Sequence, residues 1–112
     1  MANHHYGDEG FYTPWLNGFH MTFENGYSIS VQWKAGNYCT NHYSNDFTNN
    51  HPMFSSNAEI AVIDRQGELI DDLDKFLPEQ LQYNSDGMVC GYVRPDELIE
   101  VMKNISTYKE EE

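Results

Sequence analysis

The residues of this 112-residue chain that chemistry would draw on are two cysteines, five histidines and eighteen acids. Cys39-x-x-His42 has the spacing of a zinc-ligand pair, with His20, His51, Cys90 and the His4-His5 pair as further ligand types. A structural zinc site usually closes with two such pairs, and a second is missing, so no metal is expected. Cys39 ends a Gly-Asn-Tyr-Cys turn in which Gly36 and Asn37 offer backbone N–H groups. Only Lys34 lies near it in sequence to favour a thiolate. No G-x-S-x-G, H-E-x-x-H, P-loop or dinucleotide fingerprint occurs. Asp71-Asp72, or Glu59 with Asp64, read as solvated strand ends rather than as a general acid and base. The expectation is a protein that is not an enzyme and needs no cofactor.

Binding suits the residue types better. His20, Ser30 and Gln32 fall on one side of a predicted hairpin, with Thr22 opposite Ser28 and Lys34 continuing the row. Asn37, Tyr38, Tyr43 and Phe47 follow in a loop that would close over that side. Hydrogen-bonding rows beneath aromatic rings suit a nucleobase or another flat polar ligand. Arg65 and Arg94 are the only arginines, and each sits at a predicted strand end, where a guanidinium fork would take phosphate. The candidate ligand-binding set is therefore His20, Ser30, Gln32, Lys34, Asn37, Tyr38, Tyr43, Arg65 and Arg94. The competing reading is an ordinary solvated sheet face with two surface arginines.

The elements that must position these residues are written in the apolar pattern. Phe19, Met21 and Phe23 alternate with polar residues, as do Tyr27, Ile29, Val31 and Trp33. That period of two is a strand signal. A two-residue Asn25-Gly26 loop would split the apolar sets across both faces. A three-residue loop, Glu24-Asn25-Gly26, pairs Phe23 with Tyr27, Met21 with Ile29 and Phe19 with Val31, with Gly26 left-handed. Residues 58–64 form a strand apolar on both faces, hence central. Asp64-Arg65-Gln66-Gly67 fits a type I turn leading into a strand at 68–70, with Ile63 opposite Leu69. Residues 71–77 hold one or two helical turns, and 88–93 a further strand. Pro95, Asp96 and Glu97 open a helix whose buried stripe is Leu98, Val101, Met102 and Ile105.

The predicted fold class is α+β, one antiparallel sheet of about five strands with a C-terminal helix, as a single domain over 1–112. Residues 1–10 read as a loose N-terminus, 11–16 as an irregular aromatic arm, 37–57 as a long ordered loop and 107–112 as an acidic tail. Trp33 reads as core. Trp15, Tyr12 and Tyr43 have no periodic place and leave room for a homo-oligomer interface or a recognition surface.

Net charge is −12, concentrated in the second half, where residues 58–112 carry fourteen acids against five bases. A field of that sign opposes direct nucleic-acid binding and favours a basic partner or plain solubility. No apolar run approaches the roughly 20 residues of a membrane span, and two cysteines fit a reducing compartment. A cytoplasmic protein without a leader or membrane contact is expected.

One run is distinctive: F-x-N-G-x-x-x-S-V-Q-W-x-x-G-N-Y-C over residues 23–39, then N-A-E-I-A-V at 57–62 and P-D-E-L opening the C-terminal helix. In these features the chain resembles a group of small tailed-phage proteins of unknown function, over roughly residues 18–106. The resemblance implies an accessory phage product acting in a bacterial host cytoplasm. Such proteins often counter host defence, by sequestering a small nucleotide immune signal or by occluding a basic defence protein as a nucleic-acid mimic. The resemblance transfers no site residue.

Overall fold

Alternation at residues 18–32 yields two strands, β2 (Gly18–Thr22) and β3 (Ser28–Gln32), in the register the apolar sets demand. Phe19 faces Val31, His20 faces Ser30, and Met21 faces Ile29. The loop is the three-residue one: Phe23 N–H donates to Tyr27 O at 2.8 Å, and Gly26 takes φ +91°. The computed structural model describes residues 9–12, 17–34, 36–42 and 55–110.

The remaining strands are β1 (Gly10–Tyr12), β4 (Ala58–Ile63) and β5 (Cys90–Val93). They complete one antiparallel sheet in the order β1-β2-β3-β4-β5. β4 is paired on both sides, as its two apolar faces require. The turn after it forms as expected: Gly67 N–H donates to Asp64 O at 3.0 Å, and the Asp64 carboxylate accepts the Gln66 and Glu68 amides.

Three expectations need correction. Residues 10–12 are an edge strand rather than the junction of a loose terminus and an aromatic arm, because β2 offers a free edge that even three residues can pair with. Residues 68–70 make only a bridge, Ile63 to Leu69, with Ile70 N–H on Val62 O. The last strand starts at Cys90 rather than Met88; residues before it turn back, and Asp86 N–H bonds Val89 O at 2.8 Å.

One face of the sheet carries the core. Ile29, Val31, Ile60 and Val62 pack against Leu73 and Phe76 of a 3₁₀ turn (Leu73–Phe76), Leu81 of a second (Glu79–Asn84), and Val101 and Ile105 of helix α1 (Pro95–Ser106). The predicted stripe is the buried one, with Leu98 and Met102 at its margin. The helix start is stabilised by Glu97, whose carboxylate accepts the Arg94 N–H at 3.0 Å and lies 3.4 Å from the Arg94 guanidinium. Burial opposes charge on Glu97, but the Arg94 donors and the Gln80 side chain outweigh it and hold the carboxyl below its usual range. A depressed folded-state value adds stability that is complete above the unfolded value and is lost as pH falls through the folded one. Glu97→Gln is therefore expected to be less stable than the parent at neutral pH, with the gap narrowing as acid is added. Urea midpoints measured between neutral and acidic pH check it; a gap that does not change with pH rules the linkage out.

Candidate functional site

The hairpin's polar side, predicted to meet a ligand, is largely closed off. Ser28 is 0%, Thr22 2%, Gln32 7% and His20 8% exposed, while Ser30 is half-buried. Much of the row also satisfies itself: the Thr22 and Ser28 hydroxyls lie 2.6 Å apart, and Gln32 Nε2 donates to Ser30 Oγ at 3.3 Å. Ala61 and Ile63 of β4, on the same side by register, are buried as well. The central strands β3 and β4 are thus buried on both faces, which the alternating pattern did not disclose.

The loop residues serve the fold. Asn37 Oδ1 accepts the Lys34 N–H at 2.9 Å, and its Nδ2 donates to Glu59 at 2.8 Å. Tyr38 O accepts the Tyr92 N–H at 2.9 Å, placing the loop along the outer edge of β5. Gly91 makes this approach feasible, since a Cβ there would sit 2.7 Å from Tyr38 Cβ. Tyr92 itself has φ +57°, beside the register shift between β4 and β5. The Tyr38 ring stacks on His42 with centroids 5.1 Å apart. Tyr43 and Phe47, like His51, lie outside the described residues.

The two arginines do not converge. Arg65 follows β4 at the end of the sheet that holds the hairpin loop, and Arg94 follows β5 at the other end. The length of β4, roughly 17 Å, separates these ends. Each has a carboxylate: Arg65 lies 3.5 Å from Glu110, and Arg94 3.4 Å from Glu97. No single small ligand reaches both.

Both cysteines are free thiols and buried. Cys39 is wholly buried, and its Sγ lies 3.9 Å from Lys34 O. Burial, with Glu97 and Asp74 adding to it, pushes the Cys90 thiol up to about 12. Cys39 and His42 are joined through the backbone, His42 N–H to Cys39 O at 2.9 Å. Among the described residues no three His, Cys, Asp or Glu side chains gather as a metal site. No helix there is long and apolar enough to cross a membrane.

What the geometry does assemble is an apolar cleft of about 210 Å³ at the end of the sheet where α1 starts. Phe19, Val31 and Trp33 come from the hairpin, Val93, Pro95 and Leu98 from β5 and the helix, and Ser55 and Asn57 from the rim. The Trp33 indole Nε1–H is out of solvent reach, with no acceptor among the described residues. Trp33 is thus partly buried and packs on the core, but it also walls this cleft. Lys34 and Arg94 are the chain neighbours of two lining positions. Sequence reasoning found Lys34 and Arg94 but not the cleft, because its walls come from four separated segments whose apolar residues all read as core. Neither a family model, nor a curated protein, nor a solved structure matches the chain.

Proposed function

We propose that the protein is a non-enzymatic binding protein that sequesters a small nucleotide, seating its base in the Trp33 cleft with the phosphate toward Arg94 and Lys34. The observation that carries this reading is the apolar cleft walled by the Trp33 and Phe19 rings, with Lys34 and Arg94 beside its lining positions. A flat base would bury its faces against such walls while its phosphate stays in solvent. The cleft is smaller than the roughly 300–1,000 Å³ of sites that enclose whole drug-sized ligands. It therefore takes one base, and the remainder of the nucleotide lies outside. The resemblance to small tailed-phage proteins supports the biological setting: a phage product that removes a nucleotide immune signal in the cytoplasm of its bacterial host.

Titration with a panel of cyclic mononucleotides, cyclic dinucleotides and cyclic ADP-ribose isomers, read by Trp33-dependent fluorescence and calorimetry, tests it. Binding of at least one member is expected, weakened by Arg94→Ala and only modestly weakened by salt. A panel without a binder, and protein purified from bacterial cytosol with no retained nucleotide by native mass spectrometry, would overturn it.

One observation favours a second reading. Asp71, Asp72, Asp74, Glu79, Asp96 and Glu100 are all exposed, and all belong to the 3₁₀ turns, their lead-in and α1, which pack on the same sheet face. An acidic layer of this kind suits docking onto a basic host defence protein in place of nucleic acid. Its signature is affinity that falls steeply with salt, because exposed charges are screened beyond about 8–10 Å.

A further inference from the structure

The end of the sheet opposite the Trp33 cleft holds a second cavity, of about 320 Å³, lined by Glu24, Asn25, Tyr27, Arg65, Tyr108, Lys109 and Glu110. Three of the six lysines and arginines in the sequence lie at or beside it, against three acids. Arg65 and Lys109 line the cavity, and Lys75 Nζ lies 4.8 Å above the Tyr108 ring and 3.2 Å from its hydroxyl. The acids are Glu24 and Glu110, which line it, and Asp64, whose Oδ1 accepts two turn amides. Tyr27 is 5% exposed, yet its hydroxyl reaches the cavity and donates to Glu110 Oε2 at 2.6 Å. A short hydrogen bond from a buried hydroxyl and a guanidinium at 3.5 Å together grip one carboxylate, and that carboxylate belongs to the acidic tail.

We propose that this cavity is an anion site for a phosphate group, and that Glu110 of the C-terminal tail is its exchangeable internal occupant. The inference is independent of the nucleotide reading, which concerns the other end of the sheet. Tyr27 supplies a preformed donor, held in place by its ring contacts with Phe76 and Tyr108 at 6.3 and 5.2 Å. Arg65 supplies the fork; its side chain is 56% exposed, so it can turn from a carboxylate to an incoming phosphate without unpacking the core. With Glu110 displaced, Arg65, Lys75 and Lys109 outnumber Glu24 and Asp64 by one charge, a balance that favours an incoming phosphate. The tail then acts as a competitor. If it is docked about nine-tenths of the time, it lowers the apparent affinity for external phosphate about tenfold.

The test is ³¹P NMR titration with inorganic phosphate, at ionic strength held constant with sodium chloride, on the full chain and on Glu110→Gln. Glu110→Gln is expected to bind about tenfold more tightly than the parent. Tyr27→Phe or Arg65→Ala placed in that background is expected to abolish the gain. Tyr27→Phe keeps the ring packing, so it decides the matter if Arg65→Ala fails to fold. Equal affinity of parent and Glu110→Gln overturns the occupant role. Binding that survives both Tyr27→Phe and Arg65→Ala, or no binding by either protein, overturns the site.

Discussion

Phe76→Ala is expected to lower stability by about 3–5 kcal/mol, through removed burial and the cavity left behind. Phe76 is 1% exposed and sits where the sheet, the first 3₁₀ turn and the end of α1 meet. Its ring makes an edge contact with Tyr108 at 5.1 Å and a tilted one with Tyr27 at 6.3 Å. Its carbonyl accepts the Asn104 side-chain N–H at 2.9 Å, so the backbone is held to α1 while the ring is removed. That tether limits collapse into the void and places the cost toward the upper part of the range. For a domain of this size the shift in melting temperature is about 10–20 °C. Thermal and urea unfolding followed by circular dichroism measure it, and Phe76→Leu should recover part of the loss. A cost below about 1 kcal/mol, the level of an ordinary surface change, would remove Phe76 from the core.

Gly26→Val is expected to cost about 2–4 kcal/mol, from two sources that add. At φ +91° a β-branched residue is strained, a penalty of about 1–3 kcal/mol. A Cβ would also meet Arg65 Cγ at 2.9 Å, so the arginine must shift. The loop cannot relax by adopting another turn without breaking the Gly26 N–H bond to Phe23 O at 2.9 Å and the register behind it. Gly26→Asn should cost clearly less, because asparagine tolerates positive φ. Equal losses for the two variants would show that crowding, not backbone conformation, sets the requirement.

The loop has a second task that sets it apart from an isolated hairpin turn. Asn25 Oδ1 accepts the Tyr27 N–H at 3.0 Å, and its Nδ2 donates to the carbonyls of Ile105 and Tyr108 at 2.8 and 2.9 Å. The residue that shapes the turn therefore also caps the end of α1, some eighty positions later in the chain. The Asn25-Gly26 pair is legible as turn chemistry. Its attachment to the helix is not, because hydrogen bonding between distant segments leaves no local spacing to read.

Burial shows the same division. The period of two in β2 and β3 specified which side chains share a face, and the pairs His20 with Ser30 and Met21 with Ile29 follow from it. It did not specify how many faces are covered. A polar row reads as solvent-facing, yet Thr22 and Ser28 are buried as a mutually bonded pair. The candidate ligand row was lost to view for that reason, and the Trp33 cleft took its place from residues that the pattern assigned to the core.

What the sequence by itself determined is whatever arises between near neighbours: the hairpin register, the Asp64–Gly67 turn, the central strand, and the start and buried stripe of α1. Those follow from backbone sterics and side-chain periodicity, which act over a few residues. Tertiary structure alone decided that residues 10–12 join the sheet, that Arg65 and Arg94 lie at opposite ends, that Glu110 reaches Tyr27 and Arg65, and that Trp33 walls a cleft. These depend on which distant segments pack together. Packing is chosen by the total apolar surface removed from water, a quantity that no short window of sequence contains.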